Sequence, residues 1–296
     1  MPDRYVHLNG RLVAAGEAVI KVSDAGFLHG ASAFTTMRAH NGVVFRLADH
    51  LSRLLGTVEL LGLRTEATSD TLTEAVDELL VANDLRDARL RITLTPGSIA
   101  GGAPTVVITA DDLPEYPPEW YTEGISVAIT ELRQSPGDIA CGRKTGCYFP
   151  RVLAMRTAAA KTAREALWFT PAGHLAEACF CNVFLVSDGE VLTPPLDTPF
   201  LDGILRGVVM ELCESLDIKC VDSRPLLGSD LLDADEVFLT ASCSGIRPVV
   251  RVEDHAIADG QVGAITARIM KAYEEILEIE CPPDKQDNVQ HQDDST

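Results

Sequence analysis

The sequence predicts an α+β protein with two domains, a small N-terminal α/β lobe and a larger C-terminal pseudo-barrel lobe. The chain has 296 residues, of which 46% are hydrophobic and 23% are charged, so it can form two domains with sizeable cores. The first half combines amphipathic helices with strands, whereas short apolar strands dominate the second half. Many short strands with few helices indicate a barrel-like sheet rather than a doubly wound one.

The first half contains both helical and strand-like patterns. Residues 47–62 place apolar side chains at helical spacing, and a second helix begins at a Ser/Asp cap near residue 69. In ARLRITLT, residues 88–95, polar and apolar side chains alternate as in a half-buried strand. Asn-Gly pairs indicate tight turns at residues 9–10 and 41–42. We predict helices at residues 47–62 and 69–83 and strands at residues 4–13, 42–47, 88–95 and 103–110.

The second half follows the Pro-rich stretch LPEYPPEW at residues 113–120, which is typical of a linker. We predict strands at residues 125–132 and within EALWFT, CFCNVFLV, EVLTPP, DEVFLTAS and IRPVVRV, and helices at about residues 150–163, 203–217 and 262–279. The last fifteen residues are polar and have the composition of a disordered segment. The predicted division is an N-terminal lobe at 1–118, a linker with the first strand at 119–131, a C-terminal lobe at 132–281 and a disordered acidic tail at 282–296.

Composition restricts the partners and the compartment. The net charge is −19, from 25 basic and 44 acidic residues, which argues against nucleic acid or an anionic membrane as a partner. No apolar run approaches the roughly 18 residues of a membrane span, and the N-terminus has no signal-peptide pattern. The eight cysteines form no CxxC pair, and Cys179 and Cys181 lie two residues apart on a predicted strand. We expect reduced thiols in a cytoplasmic protein, without a disulfide framework or a zinc site.

Several chemistries find no support in the motifs. There is no GxSxG elbow and no HxxxH pair, so a serine hydrolase or a metal site on a helix is not indicated. GDIACGRKT, residues 137–145, approaches a phosphate-binding loop, but Arg143 separates the glycine from Lys144. Such a loop needs the lysine directly after the glycine and a buried strand before it. We therefore reject nucleotide binding by this segment.

Two residues suggest a different chemistry. Lys144 lies in the Gly-flanked turn GRKTG, and a lysine amine forms Schiff bases with carbonyls when partial burial lowers its pKa. Glu177 lies in the otherwise apolar segment HLAEACFCNVFLV, where a carboxylate needs a cation or a strong donor. Taken singly, Lys144 is as well explained by a loop cap and Glu177 by a structural ion pair.

Together with their surroundings, Lys144 and Glu177 identify a resemblance that covers about residues 5–275. It rests on seven fragments in order, namely LNGRLV, VSDAGFLHGASAFTTMRAHNG, FRLADHLSRL, KTGCYFPRVLA, LAEACFCNVFLV, LTPPLDTPFLDGILRGVVMELC and ADEVFLTASCSGIRPV. The chain resembles the class IV, fold-type IV pyridoxal-phosphate (PLP) enzymes, which include branched-chain aminotransferases, D-amino-acid aminotransferases and aminodeoxychorismate lyases. The resemblance implies a PLP cofactor and a homodimer.

The resemblance also implies the residues that would hold the cofactor ring. Lys144 would bond the cofactor covalently and later move the proton between the substrate Cα and the cofactor C4′. Glu177 would face the pyridine nitrogen and keep it protonated, so that the cofactor itself supplies the cation for this buried carboxylate. Tyr148 matches a tyrosine that hydrogen-bonds the phenolic oxygen of the cofactor, although an aromatic side chain at a strand end with a hydrated hydroxyl explains it equally well.

Further residues match the phosphate site of the family. Arg53 in HLSRL matches the phosphate arginine. LDGILRG matches the helix start whose backbone N–H groups hold the phosphate, here those of Ile204 and Leu205. Leu205 replaces the usual threonine, so one side-chain donor is lost. Ser242 stands where the family often has a phosphate-contacting threonine, and it keeps the hydroxyl.

The implied substrate residues favour one branch of the family without excluding the others. Arg91 matches a strand arginine near the substrate carboxylate, Arg38 matches another arginine at the end of the N-terminal lobe, and Phe34 would line the side-chain pocket. FTTMR is closer to the lyase branch, where a threonine assists elimination; here that is Thr35 or Thr36. Pro96 stands where D-amino-acid enzymes tend to have an arginine.

From these matches we expect transamination between an L-amino acid with an apolar, branched side chain and a 2-oxo acid such as 2-oxoglutarate. The runner-up is an aminodeoxychorismate lyase that releases pyruvate. A D-amino-acid aminotransferase and a PLP-fold binding protein without catalysis also stay open at this point.

Overall fold

A computed structural model describes residues 4–283, so residues 284–296 of the expected disordered tail lie outside the described part. The chain forms two compact units. The first runs through Pro114 and resumes at Glu274, and the second spans Glu115–Tyr273. The boundary after Pro114 falls within the Pro-rich stretch. The end of the last helix clusters with the first unit, whereas the sequence-based division assigned it to the second lobe.

The first unit is a six-stranded antiparallel sheet with helices, in the strand order β2-β1-β6-β5-β3-β4. Its strands are β1 (Tyr5–Leu8), β2 (Arg11–Ala14), β3 (Ala33–His40), β4 (Val43–Val44), β5 (Ala88–Thr95) and β6 (Thr105–Asp112), and its helices are α1 (Ala25–His29), α2 (Leu47–Leu60) and α3 (Ser69–Ala82). The core lies between one face of the sheet and the helices α2 and α3. Ala33, Met37 and Ala39 of β3 and Leu90, Ile92 and Leu94 of β5 belong to it.

Local signals account for most of this unit. Asn9, Gly10, Asn41 and Gly42 all have positive φ, as the tight turns between β1 and β2 and between β3 and β4 require. Helix α3 is capped by Thr68, whose side chain accepts a hydrogen bond from the backbone N–H of a residue three positions on. The cap therefore lies one residue before the predicted Ser/Asp pair. Strand β3 was absent from the sequence-based assignment, since apolar and polar residues do not alternate in its first four residues, AFTT.

The second unit contains a mixed nine-stranded sheet in the order β12-β11-β10-β13-β14-β7-β8-β9, with β15 paired to β14. The strands are β7 (Ile125–Arg133), β8 (Glu165–Phe169), β9 (Leu175–Ala178), β10 (Asn182–Ser187), β11 (Glu190–Leu192), β12 (Cys220–Val221), β13 (Glu236–Ala241), β14 (Gly245–Val252) and β15 (His255–Ala256). The helices are α4 (Glu119–Thr122), α5 (Phe149–Ala160), α6 (Ile204–Ser215), α7 (Gly228–Leu232) and α8 (Ala264–Glu280), whose last residues cluster with the first unit.

The large sheet curls on itself, as the predicted barrel-like sheet requires. Strands β9 and β10 lie five steps apart in the strand order, a distance of about 24 Å in a flat sheet. Only three residues join them, and these span at most about 14 Å. The backbone N–H of Ala178 donates to the carbonyl of Cys181 at 2.8 Å, which brings the two strand ends together. The sheet therefore closes into a half-barrel.

This closure corrects one sequence-based assignment. Cys179 and Cys181 were placed on a continuous strand, but both lie in the bend between β9 and β10. The apolar run continues through the bend because its side chains are buried on both sides of the reversal, and periodicity alone does not reveal a turn inside such a run. Within residues 4–283, no helix combines the length and the apolar character needed to cross a membrane.

Candidate active site

Lys144 lies in the irregular segment that leads from β7 into α5. Its Nζ is 3.4 Å from the hydroxyl oxygen of Tyr148 and 5.6 Å from the centre of the Tyr148 ring. Tyr148 is the residue at which α5 begins, and its ring stacks on Phe180 at 5.9 Å between centroids. A Cβ at Gly142 would come within 2.8 Å of the Phe200 carbonyl oxygen, so this turn requires glycine two residues before the lysine. The lysine amine is thus held beside a phenol.

Glu177 on β9 is 3% exposed, and both of its carboxylate oxygens accept hydrogen bonds. Oε1 accepts from Gln134 Nε2 and from Arg151 Nη2, each at 2.6 Å. Oε2 accepts from the backbone N–H of Leu201 at 3.2 Å. The ion pair considered for Glu177 therefore exists within the chain. The idea that the cofactor supplies the cation for this carboxylate is corrected accordingly, because Arg151 already does so.

Arg151 lies in the first turn of α5 and has further contacts besides Glu177. Nη1 donates to the carbonyls of Ala178 at 3.1 Å and Cys179 at 2.7 Å. Its guanidinium carbon lies 5.4 Å from the centre of the Tyr148 ring, within cation–π range. Burial by itself lowers the pKa of Arg151, but the charge of Glu177, the charge of Tyr148 and the hydrogen bond to Glu177 together outweigh it, so the pKa lies above its ordinary value. Arg151 is therefore a fixed cation.

Sequence reasoning missed Arg151 and Gln134. Arg151 follows Tyr148 by three positions at a helix start, so the contact between these two could have been expected from helical spacing. The pairing of Arg151 and Gln134 with Glu177 joins residues 26 and 43 positions apart. The pairing of β7, β8 and β9 and the packing of α5 on β7 and β8 bring these segments together, and no local pattern indicates that contact.

The start of α6 is formed by a tight contact between two segments. Gly203 is the N-cap residue, and no side chain in the described part of the protein caps this helix end. A Cβ at Gly203 would lie 2.0 Å from Asn182 Oδ1, so the two segments approach more closely than any other residue permits. The side chain of Leu205 is apolar and buried, so the only donor of this residue is its backbone N–H. A helix start without a side-chain cap is suited to an anion.

Ser242 comes directly after β13, in the turn that leads to β14. Asn182 on β10 is paired with Thr240 on β13, two residues before Ser242. Asn182 Nδ2 also donates to the carbonyl of Leu201 at 2.6 Å, just before the start of α6. These contacts bring the end of β13, the start of α6 and the Glu177 carboxylate into one neighbourhood of the second unit. With Lys144 joined to Glu177 through Tyr148 and Arg151, all six sequence-predicted residues of this unit lie on these linked segments.

In the first unit, Phe34, Arg38 and Arg91 lie on the sheet face opposite the helices. The register pairs Thr36 of β3 with Arg91 of β5. The guanidinium carbon of Arg91 lies 3.5 Å from the centre of the Phe34 ring, which fixes the arginine over an aromatic face. The two residues that the resemblance assigns to substrate carboxylate and side chain are therefore in direct contact.

Arg53 lies on α2 and contacts Thr35, on the face of the same sheet that is covered by the helices. Arg53 Nη2 is 3.5 Å from Thr35 Oγ1, and this hydroxyl also lies 2.9 Å from His50 Nδ1. Thr35 is fully buried. The structure thus separates Arg53 from Phe34, Arg38 and Arg91 by the thickness of a strand. His50 in HLSRL was not singled out from the sequence, although it lies one helical turn before Arg53.

The comparisons with known proteins agree with this fold. The sequence profile of the family described as amino-transferase class IV matches residues 32–252. A protein of Methanocaldococcus jannaschii, provisionally named branched-chain-amino-acid aminotransferase, is 32% identical over 92% of this chain and 96% of its own. A D-alanine aminotransferase of Bacillus licheniformis is 27% identical over 91% of this chain and 95% of its own. The crystal structure of the Escherichia coli branched-chain amino acid aminotransferase, 26% identical, superposes with a TM-score of 0.89 over 96% of this chain and 97% of that one.

Fold and sequence together define a fold-type IV enzyme. The chain belongs to the class IV aminotransferases, and the resemblance inferred from the seven fragments is confirmed. Enzymes of this class depend on PLP and exchange amino groups between amino acids and 2-oxo acids.

Proposed function

We propose that this chain is a branched-chain type aminotransferase, which moves the amino group of an L-amino acid with an apolar side chain to a 2-oxo acid such as 2-oxoglutarate. The observation that carries the proposal is the connected set Lys144, Tyr148, Arg151 and Glu177, which holds an amine, a phenol and a buried carboxylate in one network. The names of the relatives from M. jannaschii and E. coli support the substrate class.

The residues present fit PLP. Lys144 supplies the amine that would bond the aldehyde carbon, and Glu177 supplies an anion for the pyridine nitrogen. Tyr148 supplies a hydroxyl for the phenolic oxygen. The tight contact of Gly203 with Asn182 leaves the start of α6 to backbone donors, as a phosphate group requires.

The remaining assignments complete the cofactor and substrate roles. Ile204 and Leu205 would donate backbone N–H groups to the phosphate, and Ser242 and Arg53 would add a hydroxyl and a charge. Arg91, stacked on Phe34, would bind the substrate carboxylate beside an apolar surface. Arg38, on the same sheet face, is the second candidate for that carboxylate.

PLP acts when bound as an electron sink for the carbanion that forms at the substrate Cα. The chain's own groups then have separate tasks. Lys144 Nζ would move the proton between the substrate Cα and the cofactor's C4′, and the hydroxyl of Tyr148, 3.4 Å away, would keep that nitrogen oriented. Glu177, fixed by Arg151, would stabilise positive charge on the ring nitrogen.

A lyase reaction is the second candidate function, and it rests on Thr36. Thr36 lies directly opposite Arg91 on the face that carries Phe34, so its hydroxyl shares that face with the proposed carboxylate arginine. Thr35 is buried against His50 and does not share this face. Pro96 disfavours a D-amino-acid donor, and the presence of both Lys144 and Glu177 disfavours a binding protein without catalysis.

A substrate panel tests the proposal. We expect purified protein with PLP to convert L-leucine, L-isoleucine or L-valine with 2-oxoglutarate by ping-pong kinetics, and to leave the D-isomers unchanged. Lys144→Ala should abolish both turnover and borohydride-reducible attachment of the cofactor. Pyruvate release from aminodeoxychorismate without amino transfer would establish the lyase instead. A protein inactive with every donor, but with PLP bound, would support the binding protein.

We further propose that the enzyme is a homodimer, as the resemblance implies. Val19, Val22 and Phe27 are 72–78% exposed within a span of nine residues of the first unit. Large apolar side chains clustered on a surface are typical of an interaction site. Light scattering should give twice the chain mass of 31.9 kDa, and a monomer mass at micromolar concentration would refute the dimer.

A further inference from the structure

Arg151 contacts both residues that the proposed function places against the cofactor ring. Its Nη2 lies 2.6 Å from Glu177 Oε1, and its guanidinium carbon lies 5.4 Å from the centre of the Tyr148 ring. Tyr148 would hydrogen-bond the phenolic oxygen of the cofactor ring, and Glu177 would interact with the ring nitrogen. One rigid, planar side chain therefore sets the position of these two groups relative to each other.

The other contacts of Arg151 prevent it from moving. Two backbone carbonyls at the end of β9, those of Ala178 and Cys179, accept from Nη1, and the Trp168 ring lies 5.6 Å from the guanidinium carbon. The arginine side chain is only 16% exposed. Two carbonyls and two aromatic rings fix the position of the guanidinium group. The orientation of the Glu177 carboxylate is therefore set by Arg151 and not the reverse.

The two oxygens of Glu177 are consequently different. Oε1 receives two donors at 2.6 Å, one of them charged, whereas Oε2 receives one backbone N–H at 3.2 Å. A saturated oxygen accepts little more, and the less satisfied oxygen retains capacity for another donor. Arg151 and Gln134 thus leave Oε2 as the acceptor for a further N–H group.

We propose that Arg151 is a positioning residue that holds the Glu177 carboxylate and turns its Oε2 toward the pyridine nitrogen of PLP. The inference rests on the proposed function and adds a residue to it. Without Arg151, the buried carboxylate lacks its cation and one of the two donors to Oε1, and it can rotate. Cofactor affinity and the spectrum of the bound cofactor then change, through Glu177 alone.

A double-mutant cycle on PLP affinity tests this dependence. The four proteins are the unchanged enzyme, Arg151→Gln, Glu177→Gln and the double variant, each prepared as apoprotein and titrated with PLP by equilibrium dialysis. We expect Arg151→Gln to weaken PLP binding by about 10- to 100-fold, the range seen when a partner that orients a ligand-holding side chain is removed. In the Glu177→Gln background, the same substitution should change affinity by less than about twofold, since its target is gone.

A matched control separates positioning from stability. Arg247 is also buried, pairs with Glu165 at 3.3 Å and lies 5.7 Å from the Trp120 ring centre, but has no contact with Glu177 among those the structure describes. Arg247→Lys should lower the melting temperature and leave the absorption bands of bound PLP unchanged. Arg151→Lys keeps the charge and should recover most of the affinity and the unaltered ratio of the bands. If Arg151→Gln does not fold, Arg151→Met, which also removes the charge, carries the same comparison in both backgrounds.

The outcomes are distinguishable. An unchanged enzyme that does not bind PLP would overturn the proposed function and this inference together. If PLP binds and Arg151→Gln costs the same affinity with Glu177 or with glutamine, only the inference is overturned, because Arg151 then acts independently of the carboxylate. Loss of affinity confined to the Glu177 background supports it.

Discussion

Gly203→Ala is a sensitive probe of the start of α6. The backbone at Gly203 has φ −80° and ψ 140°, which alanine adopts without strain, so the substitution changes only the space that the residue occupies. The new Cβ would lie 2.0 Å from Asn182 Oδ1. Ordinary van der Waals contact begins at 3.4 Å, so the two groups must separate by about 1.4 Å.

The expected cost follows from what the separation breaks. Asn182 Nδ2 donates to Leu201 O at 2.6 Å, and a hydrogen bond of this kind contributes about 1 kcal/mol. Forcing an extra methyl group into a packed contact costs about 1–3 kcal/mol. We expect a total loss of about 2–4 kcal/mol, which lowers the melting temperature by about 5–15 °C for a domain of this size.

Gly207 provides the control within the same helix. A Cβ at Gly207 meets no atom within 4 Å, so Gly207→Ala should stabilise the protein by about 0.5–1 kcal/mol through helix propensity. Thermal unfolding of both apoproteins, followed by PLP titration, measures the two effects. Adding Asn182→Ala to Gly203→Ala should recover part of the stability because it removes the clashing atom. Equal melting temperatures and equal PLP affinities for Gly203→Ala and the unchanged protein would refute the reasoning.

Two further predictions concern pH and salt. Burial by itself raises the pKa of Asp24, but hydrogen bonds from Thr105, Thr95 and Gly26 outweigh it and lower the pKa below its ordinary value. Its stabilising contribution is therefore complete above the unfolded value of about 3.9 and is lost as the pH falls toward the folded value, so the melting-temperature gap between Asp24→Asn and the unchanged protein should shrink below about pH 4 and not widen. With a net charge of −19, the folded chain repels itself, and raising NaCl from about 0.1 to 1 M shortens the screening length from about 10 to 3 Å. The melting temperature should rise over that range, and a fall would show that self-repulsion does not limit stability.

The sequence predicted elements whose cause is local. Strand β5 has the predicted bounds because Leu90, Ile92 and Leu94 alternate with polar residues. Helices α2 and α3 follow their apolar spacing, and a threonine side chain caps α3. The turn between β1 and β2 follows from its Asn-Gly pair. Each of these signals is contained within about fifteen residues, which is the range over which periodicity acts.

Contacts between distant segments were not predictable in this way. The resemblance identified Glu177 but not Arg151, because the family pattern gives roles to residues and does not describe how a particular chain balances a buried charge. The bend at Cys179–Cys181 was missed because strands buried on both faces have continuous apolar sequences. A turn between two such strands does not interrupt any alternation of apolar and polar residues. The bend arises from the closure of the sheet and the Arg151–Glu177 pair from the packing of α5 on the strands beside β9, and a linear pattern encodes neither.

Strand register also distinguishes the two threonines of FTTMR, which the sequence could not. Adjacent residues of a strand point to opposite faces, and the core residues Ala33, Met37 and Ala39 assign Thr35 to the helix side. There its hydroxyl contacts His50, and a group already bonded and fully buried gains nothing from approaching a substrate. Thr36 faces the other way, opposite Arg91. Of the two threonines, Thr36 is therefore the one whose position suits the hydroxyl that the lyase branch uses.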